Sequence, residues 1–341
     1  MAKPIIFFCE FITAGGFSAE DLPPSLLNEG LMMRDALLKD IAALDEHHVI
    51  SCHDYRIQVP VHLQKSVTVN AGNFDQVFDD LLLEADMVWL IAPETDGILL
   101  NLSQRCQREN VLQIGCGLET IKIGSYKTRT AEALQVAGIP TLPVMSSNEW
   151  LQAFDQNTLN AGQQKWIVKP EDGAGCDGIF LFESPQALAA WLRAGGASEK
   201  QICQPFQAGI AASFSMLCKN GKAWLLSCNL QHLAQQHHAL KLAGITLNAY
   251  EDASGEVAKL AKKIAQMLPD ALGYVGVDIV IDAQTKQIFV IEINPRLTTS
   301  YVGLGEATGQ NMAKLVLNCV LDAHFDCPNL EKNKVEISFG E

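Results

Sequence analysis

Residues 273–300 read GYVGVDIVIDAQTKQIFVIEINPRLTTS. Two β-branched runs, Tyr274–Ile281 and Ile288–Ile293, flank a polar segment that can turn, the local pattern of a β-hairpin. Closed symmetrically about Thr285, the ladder sets Ile288 opposite Asp282 and Glu292 opposite Asp278. Opposed residues share a face, with Cβ atoms about 4.5–5.5 Å apart. Two adjacent carboxylates on an apolar ribbon repel, and burying either without a partner is costly or forces a proton onto it. A divalent cation removes the conflict. Asn294, two residues beyond Glu292, adds an amide oxygen on the same face because strand side chains alternate with period two. Asp278, Glu292 and Asn294 then form an all-oxygen set suited to Mg²⁺, with Mn²⁺ as the alternative ion; an edge hairpin with scattered surface acids and an ordinary Asn-Pro turn is the rival reading. Arg296 follows at once, and a guanidinium beside such a metal suits charge developing on a transferred phosphoryl group.

Outward from the hairpin, composition narrows the class. The 341 residues are 48% hydrophobic and 19% charged, which is globular and long enough for two or three domains. A net charge of −14 argues against nucleic-acid or anionic-membrane partners, so anionic ligands must be met by local cations. Ten cysteines without a CxxC pair, several inside apolar runs, predict reduced thiols and a cytoplasmic address. The run from Ile5 to Cys9 is too short for a signal core, and no segment reaches the length of a membrane span.

In chain order, PIIFFCEF (4–11) predicts a buried strand, 25–44 a helix, and 49–52 and 87–92 further strands. Alternating strands and helices imply a parallel, Rossmann-like α/β domain over 1–124. Ligands of such sheets collect at the carboxyl ends of strands, which offers Glu10, Gly15, Gly16, Glu94, Thr95 and Asp96, although ordinary turn chemistry accounts for the same residues. Lys127 and Arg129 fall in the first turn of a helix from Ser125, where the macrodipole disfavours cations unless an anion lies near. Solvated surface charges would read the same way.

KWIVKP (165–170) is a strand carrying Lys169, followed by Gly173, Gly175 and Gly178 in the spacing G-x-G-x-x-G. A dinucleotide site needs a helix next, whereas Ile179–Phe182 favours a second strand. The glycines then form a flap whose amides close over phosphates, with Lys169 beneath; a plain long hairpin is the rival reading. Asn220-Gly221 turns an antiparallel pair, 213–219 with 222–229. His232, His237 and His238 lie in a polar, Gln-rich stretch without other ligands and read as solvated loop residues. Helices follow at 254–268 and 308–323, and VEISF is a short edge strand.

This order of parts resembles the ATP-grasp ligases, over nearly the whole chain and most specifically in GVD followed by IEINPR. The resemblance implies an ATP-grasp fold divided at 1–124, 125–201 and 202–341. It implies ATP bound by Lys127, Lys169, Gly173, Gly175 and Gly178, with adenine at Gln204 and Phe206. It implies magnesium on Asp278, Glu292 and Asn294, and a catalytic Arg296 beside Lys169. The acidic ribose residue of many such enzymes is missing, since Ala211 and Ala212 stand in its neighbourhood. FCEFITAGGF, IAPETDGILLNL and INPRLTTSYVGL further resemble the tyramine-glutamate ligase group, which serves biosynthesis of methanofuran-type one-carbon carriers. That implies small-molecule carboxylate and amine substrates, with Thr299 and Ser300 for the carboxylate and Glu10 and Glu94 on the amine side. A homodimer is allowed. An ATP-grasp dipeptide ligase, a carboxylase and a non-catalytic nucleotide-binding scaffold are the rival readings.

Overall fold

The computed structural model describes residues 2–159, 164–173, 178–196, 200–236 and 239–339. The first region runs β1 (Ile5–Glu10), α1 (Pro24–Ala42), β2 (His48–Asp54), β3 (Lys65–Val69), α2 (Phe74–Glu84), β4 (Met87–Ile91), a 3₁₀ turn (Thr95–Gly97), α3 (Ile98–Arg108) and β5 (Leu112–Gln113). The five strands are parallel in the order β3-β2-β1-β4-β5. β1 is apolar at almost every position because both its faces are covered. Ile6 and Phe8 pack in one layer with Leu37, Leu38 and Ile41 of α1, whereas Phe7 and Cys9 pack in the other with Phe78, Leu81 and Leu102.

The chain continues through α4 (Leu118–Ser125), α5 (Lys127–Val136), β6 (Met145–Ser146), α6 (Ser147–Asp155), β7 (Trp166–Pro170), β8 (Phe180–Phe182), α7 (Pro185–Arg193) and β9 (Gln201–Pro205). Trp150, Trp166, Val168, Phe182, Leu188 and Cys203 form a separate small core where α6 and α7 cover these strands. The last region holds β10 (Gly209–Lys219), β11 (Lys222–Gln236), β12 (Ala239–Leu247), α8 (Glu256–Met267), β13 (Gly273–Asp282), β14 (Ile288–Asn294), α9 (Tyr301–Thr308), α10 (Met312–Leu321) and β15 (Val335–Ser338). One largely antiparallel sheet joins both parts in the order β14-β13-β10-β11-β12-β8-β7-β9-β6, with β15 on β12.

Several expectations need correction. The hairpin turn is one residue shorter than a symmetric closure: Ile288 lies opposite Ile281, not Asp282, and Lys286 takes a left-handed φ of +62°. A bulge at Ile291 restores the offset, so that Glu292 does face Asp278. His232 is not in a loop but on β11, with Nε2 2.7 Å from Thr246 Oγ1; His237 and His238 lie outside the described residues. The helix expected at 308–323 spans only Met312–Leu321; α9, before it, was not anticipated, and Gly309 with φ +68° separates the two. Strands β3 and β12 were not anticipated. No described helix is long and apolar enough to cross a membrane.

Candidate active site

A cavity of about 240 Å³ opens between the carboxyl ends of β1 and β4, helix α1 and the face formed by β10, β11, β13 and β14. Register builds the hairpin side. Asp278 lies opposite Glu292 on β14 and opposite Ser213 on β10. Gln231 Nε2 donates to Asp278 Oδ1 at 2.7 Å, and Asn294 Nδ2 donates to Oδ2 at 3.0 Å. Burial, reinforced by the Glu292 charge, still pushes the Asp278 carboxyl up to about 6, against the opposing effect of these hydrogen bonds and of Lys169. A site that holds two acids together at this cost suits a cation. With the Asn294 amide the donor set is hard oxygen, and so these residues fit a hard divalent cation such as Mg²⁺. Among the described residues no cluster of three His, Cys, Asp or Glu forms a metal site.

Lys127 opens α5 and is buried; its Nζ donates to the Gly173 carbonyl at 2.9 Å and stands 3.5 Å from Glu292 Oε1. The cation disfavoured at a helix N-terminus is thereby held by the flap and the hairpin. Arg129 instead packs against the Tyr126 ring at 5.2 Å. Lys169 is buried on β7 and borders the cavity. Gly173 and Gly178 both lie against Pro170, Gly178 with φ +75°, and Gly175 lies outside the described residues. Gln204 is buried opposite Ile167, on the same sheet face as Lys169, but neither it nor Phe206 borders the cavity.

Arg296 ties the two sides together. Its Nε and Nη2 donate to the two Glu94 oxygens at 2.9 and 2.8 Å, in a pair whose side chains are 11% and 4% exposed. Burial pulls the guanidinium down, but Glu94, joined by Glu292 and Glu29, outweighs it and the net shift is upward. Glu94 is thus spent on Arg296. Asp96 latches the flap base instead, its N–H donating to Asp172 Oδ2 at 2.9 Å and its carboxylate pairing with Lys200.

Glu10 ends β1 with 3% exposure and accepts from the Thr13 N–H at 2.8 Å and the Ile12 N–H at 3.3 Å; burial raises its pKa. Ile12, Leu26, Met33, Ile91 and Pro93 surround it as an apolar wall, with Glu29 beside them. Thr299 and Ser300 are buried and line the opposite side. Sequence reading missed Ser213, Gln231 and Glu29. A signal was present for the first two: ASFSML and LLSCNLQ place polar residues at alternate positions of otherwise apolar runs.

The ATP-grasp domain family matches residues 125–300, and the pre ATP-grasp 3 domain matches residues 47–121. The chain is similar to the tyramine--L-glutamate ligase of Methanocaldococcus jannaschii, at 27% identity over 93% of this chain and 89% of that protein. The Methanocaldococcus fervens enzyme of the same name is 26% identical over 92% and 93%. In fold it is similar to the crystal structure of an ATP-grasp superfamily protein from Archaeoglobus fulgidus, with TM-score 0.70 and 19% identity over 99% of this chain and all of that one. With opposed acids, buried lysines and a glycine flap in one order, and with just over half its length matched, the chain belongs to the ATP-grasp domain family.

Proposed function

We propose that this ATP-grasp ligase joins glutamate to tyramine or a similar apolar amine, through an acylphosphate, in assembly of a methanofuran-type one-carbon carrier. A carboxylate oxygen attacks the γ-phosphorus of ATP, the bond to the β-phosphate oxygen breaks, and ADP leaves. The neutral amine nitrogen then attacks the acyl carbon, phosphate departs with the former carboxylate oxygen, and the nitrogen loses one proton and keeps the other as the amide N–H. No protein nucleophile is needed; positioning and charge stabilisation suffice. Lys127, Lys169 and Arg296 supply positive charge, and the flap excludes water from the acylphosphate. Mg²⁺ held by Asp278, Glu292 and Asn294 would neutralise the nucleotide phosphates.

The observation that carries this reading is Asp278 facing Glu292 across the ladder, in the same cavity as Lys169 and Arg296. The apolar wall around Glu10 supports an amine with a hydrocarbon body. The test follows ADP and phosphate release from Mg-ATP with glutamate and a panel of amines that includes tyramine and tyrosine. Both acid and amine should be required. AMP and pyrophosphate as products would reject the acylphosphate.

A further inference from the structure

Beside the opposed acids, the same sheet face carries a second polar group. Ser213 pairs across the sheet with Asp278 on one side and with Asn229 on the other. Asn229 is fully buried, and its Nδ2 lies 3.3 Å from Ser213 Oγ and 3.4 Å from Ser300 Oγ, one N–H for each hydroxyl. Both serines border the cavity. Asn229 Oδ1 has no protein partner.

A serine hydroxyl has two lone pairs and one proton. Where Asn229 occupies a lone pair on each oxygen, each O–H is left to donate elsewhere, and the cavity is the open direction. The opposite amide orientation would turn both hydroxyl protons onto Oδ1 and strand two N–H donors in a fully buried site, the costlier arrangement. Nearby hydroxyls are already committed: Thr298 Oγ1, Tyr274 Oη and Ser215 Oγ form a chain with 2.8 Å links. Two hydroxyl donors set side by side match the two oxygens of a carboxylate.

We infer that Asn229 is a positioning residue that presets Ser213 and Ser300 as a donor pair for the carboxylate of the donor acid that does not react. The reacting carboxylate must lie near Arg296 and the metal-holding acids, so a donor reaching both places is a dicarboxylate. This inference rests on glutamate as the donor proposed above.

Calorimetry on the full chain, saturated with Mg²⁺ and a non-hydrolysable ATP analogue, compares glutamate with 4-aminobutyrate and 2-aminobutyrate, which each lack one of its carboxylates. Wild type should prefer glutamate over one of the two by about tenfold or more, the worth of hydrogen bonds to a charged group. Asn229→Ala, Ser213→Ala and Ser300→Ala should each remove most of that preference and leave nucleotide affinity unchanged. The serine variants barely alter the strands, so poor folding of Asn229→Ala would not remove the test. Equal weakening of all three acids, unchanged glutamate affinity, or no glutamate binding to wild type would overturn the inference. Serine-dependent glutamate binding without ADP release would sink the ligase reading and leave this one standing. Glutamate turnover with an unchanged KM in all three variants would do the reverse.

Discussion

The two ends of the cavity are positioned by different means. At the hairpin end, strand register places Asp278, Glu292 and Ser213, and hydrogen bonds from Gln231 and Asn294 lock the acid. At the N-terminal end, Glu10, Ile12 and Met33 stand on a strand end, a turn and a helix, held by packing and, for Glu10, by the amides of its own turn. Groups on paired strands are fixed more tightly than groups on loops. Under the proposed function, phosphoryl transfer falls to the first end and choice of amine to the second, with Arg296–Glu94 as the strut between them.

Removing that strut should do most damage. Arg296→Ala leaves a 4% exposed Glu94 without its cation, which costs about 3–5 kcal/mol by chemical denaturation. It should also lower turnover by about 10³-fold or more. Replacing both partners, Arg296→Met with Glu94→Leu, should recover stability and not turnover. Recovery of both would reduce Arg296 to a structural role. Next in size, Glu292→Gln should cut ADP release by about 10²–10³-fold with an unchanged circular dichroism spectrum. Near-normal turnover would break the assignment of chemistry to the hairpin end.

The hairpin end was also the legible end. Period-two alternation together with two acids and an amide needed no tertiary information, and the Asp278–Glu292 pairing followed from it. Its turn was misjudged because a left-handed Lys286 and a bulge at Ile291 leave no mark on the hydrophobic pattern, and their two one-residue errors cancelled at the site. The Gln-rich run through His232 read as loop because that part of β11 is exposed, and polar residues there obey no period. Glu94 was misplaced for a different reason: its partner lies 202 residues away, and no local pattern announces a long-range ion pair. Gln204 and Phe206 came from family resemblance alone; Gln204 shares the Lys169 sheet face, and neither residue lines the cavity.

Asp278 sharpens the comparison through pH. Its carboxyl is raised from 3.8 to about 6, chiefly by burial. The folded state holds this proton more tightly than the unfolded chain does. The group's stabilising contribution is therefore complete below pH 3.8 and lost as pH rises through about 6, a change of up to about 3 kcal/mol. Asp278→Asn removes the titration, so the variant should match wild type near pH 4 and exceed it at pH 7.5 in the absence of divalent ions. Millimolar Mg²⁺ should close that gap by stabilising wild type alone. A gap of the same size at both pH values would mean that Asp278 is not the strained acid of the site.

The smallest effect belongs to the packed end, and Gly30 is where it can be read. In an exposed helix interior, Gly→Ala stabilises by about 1 kcal/mol. On α1 the added Cβ would lie 2.7 Å from Glu10 Oε2 and 2.9 Å from its Cδ, and Glu10 cannot retreat freely because the Ile12 and Thr13 amides hold it. Either the helix lifts from the apolar wall or Glu10 swings into the cavity, at a cost of about 1–3 kcal/mol. Gly30→Ala should therefore lower stability and raise KM for the amine by about three- to tenfold, with KM for ATP unchanged because the hairpin end does not move. If the variant is instead stabilised as in an ordinary helix, or if KM rises for ATP and amine together, then the two ends are one rigid unit, and the division between chemistry and selection falls.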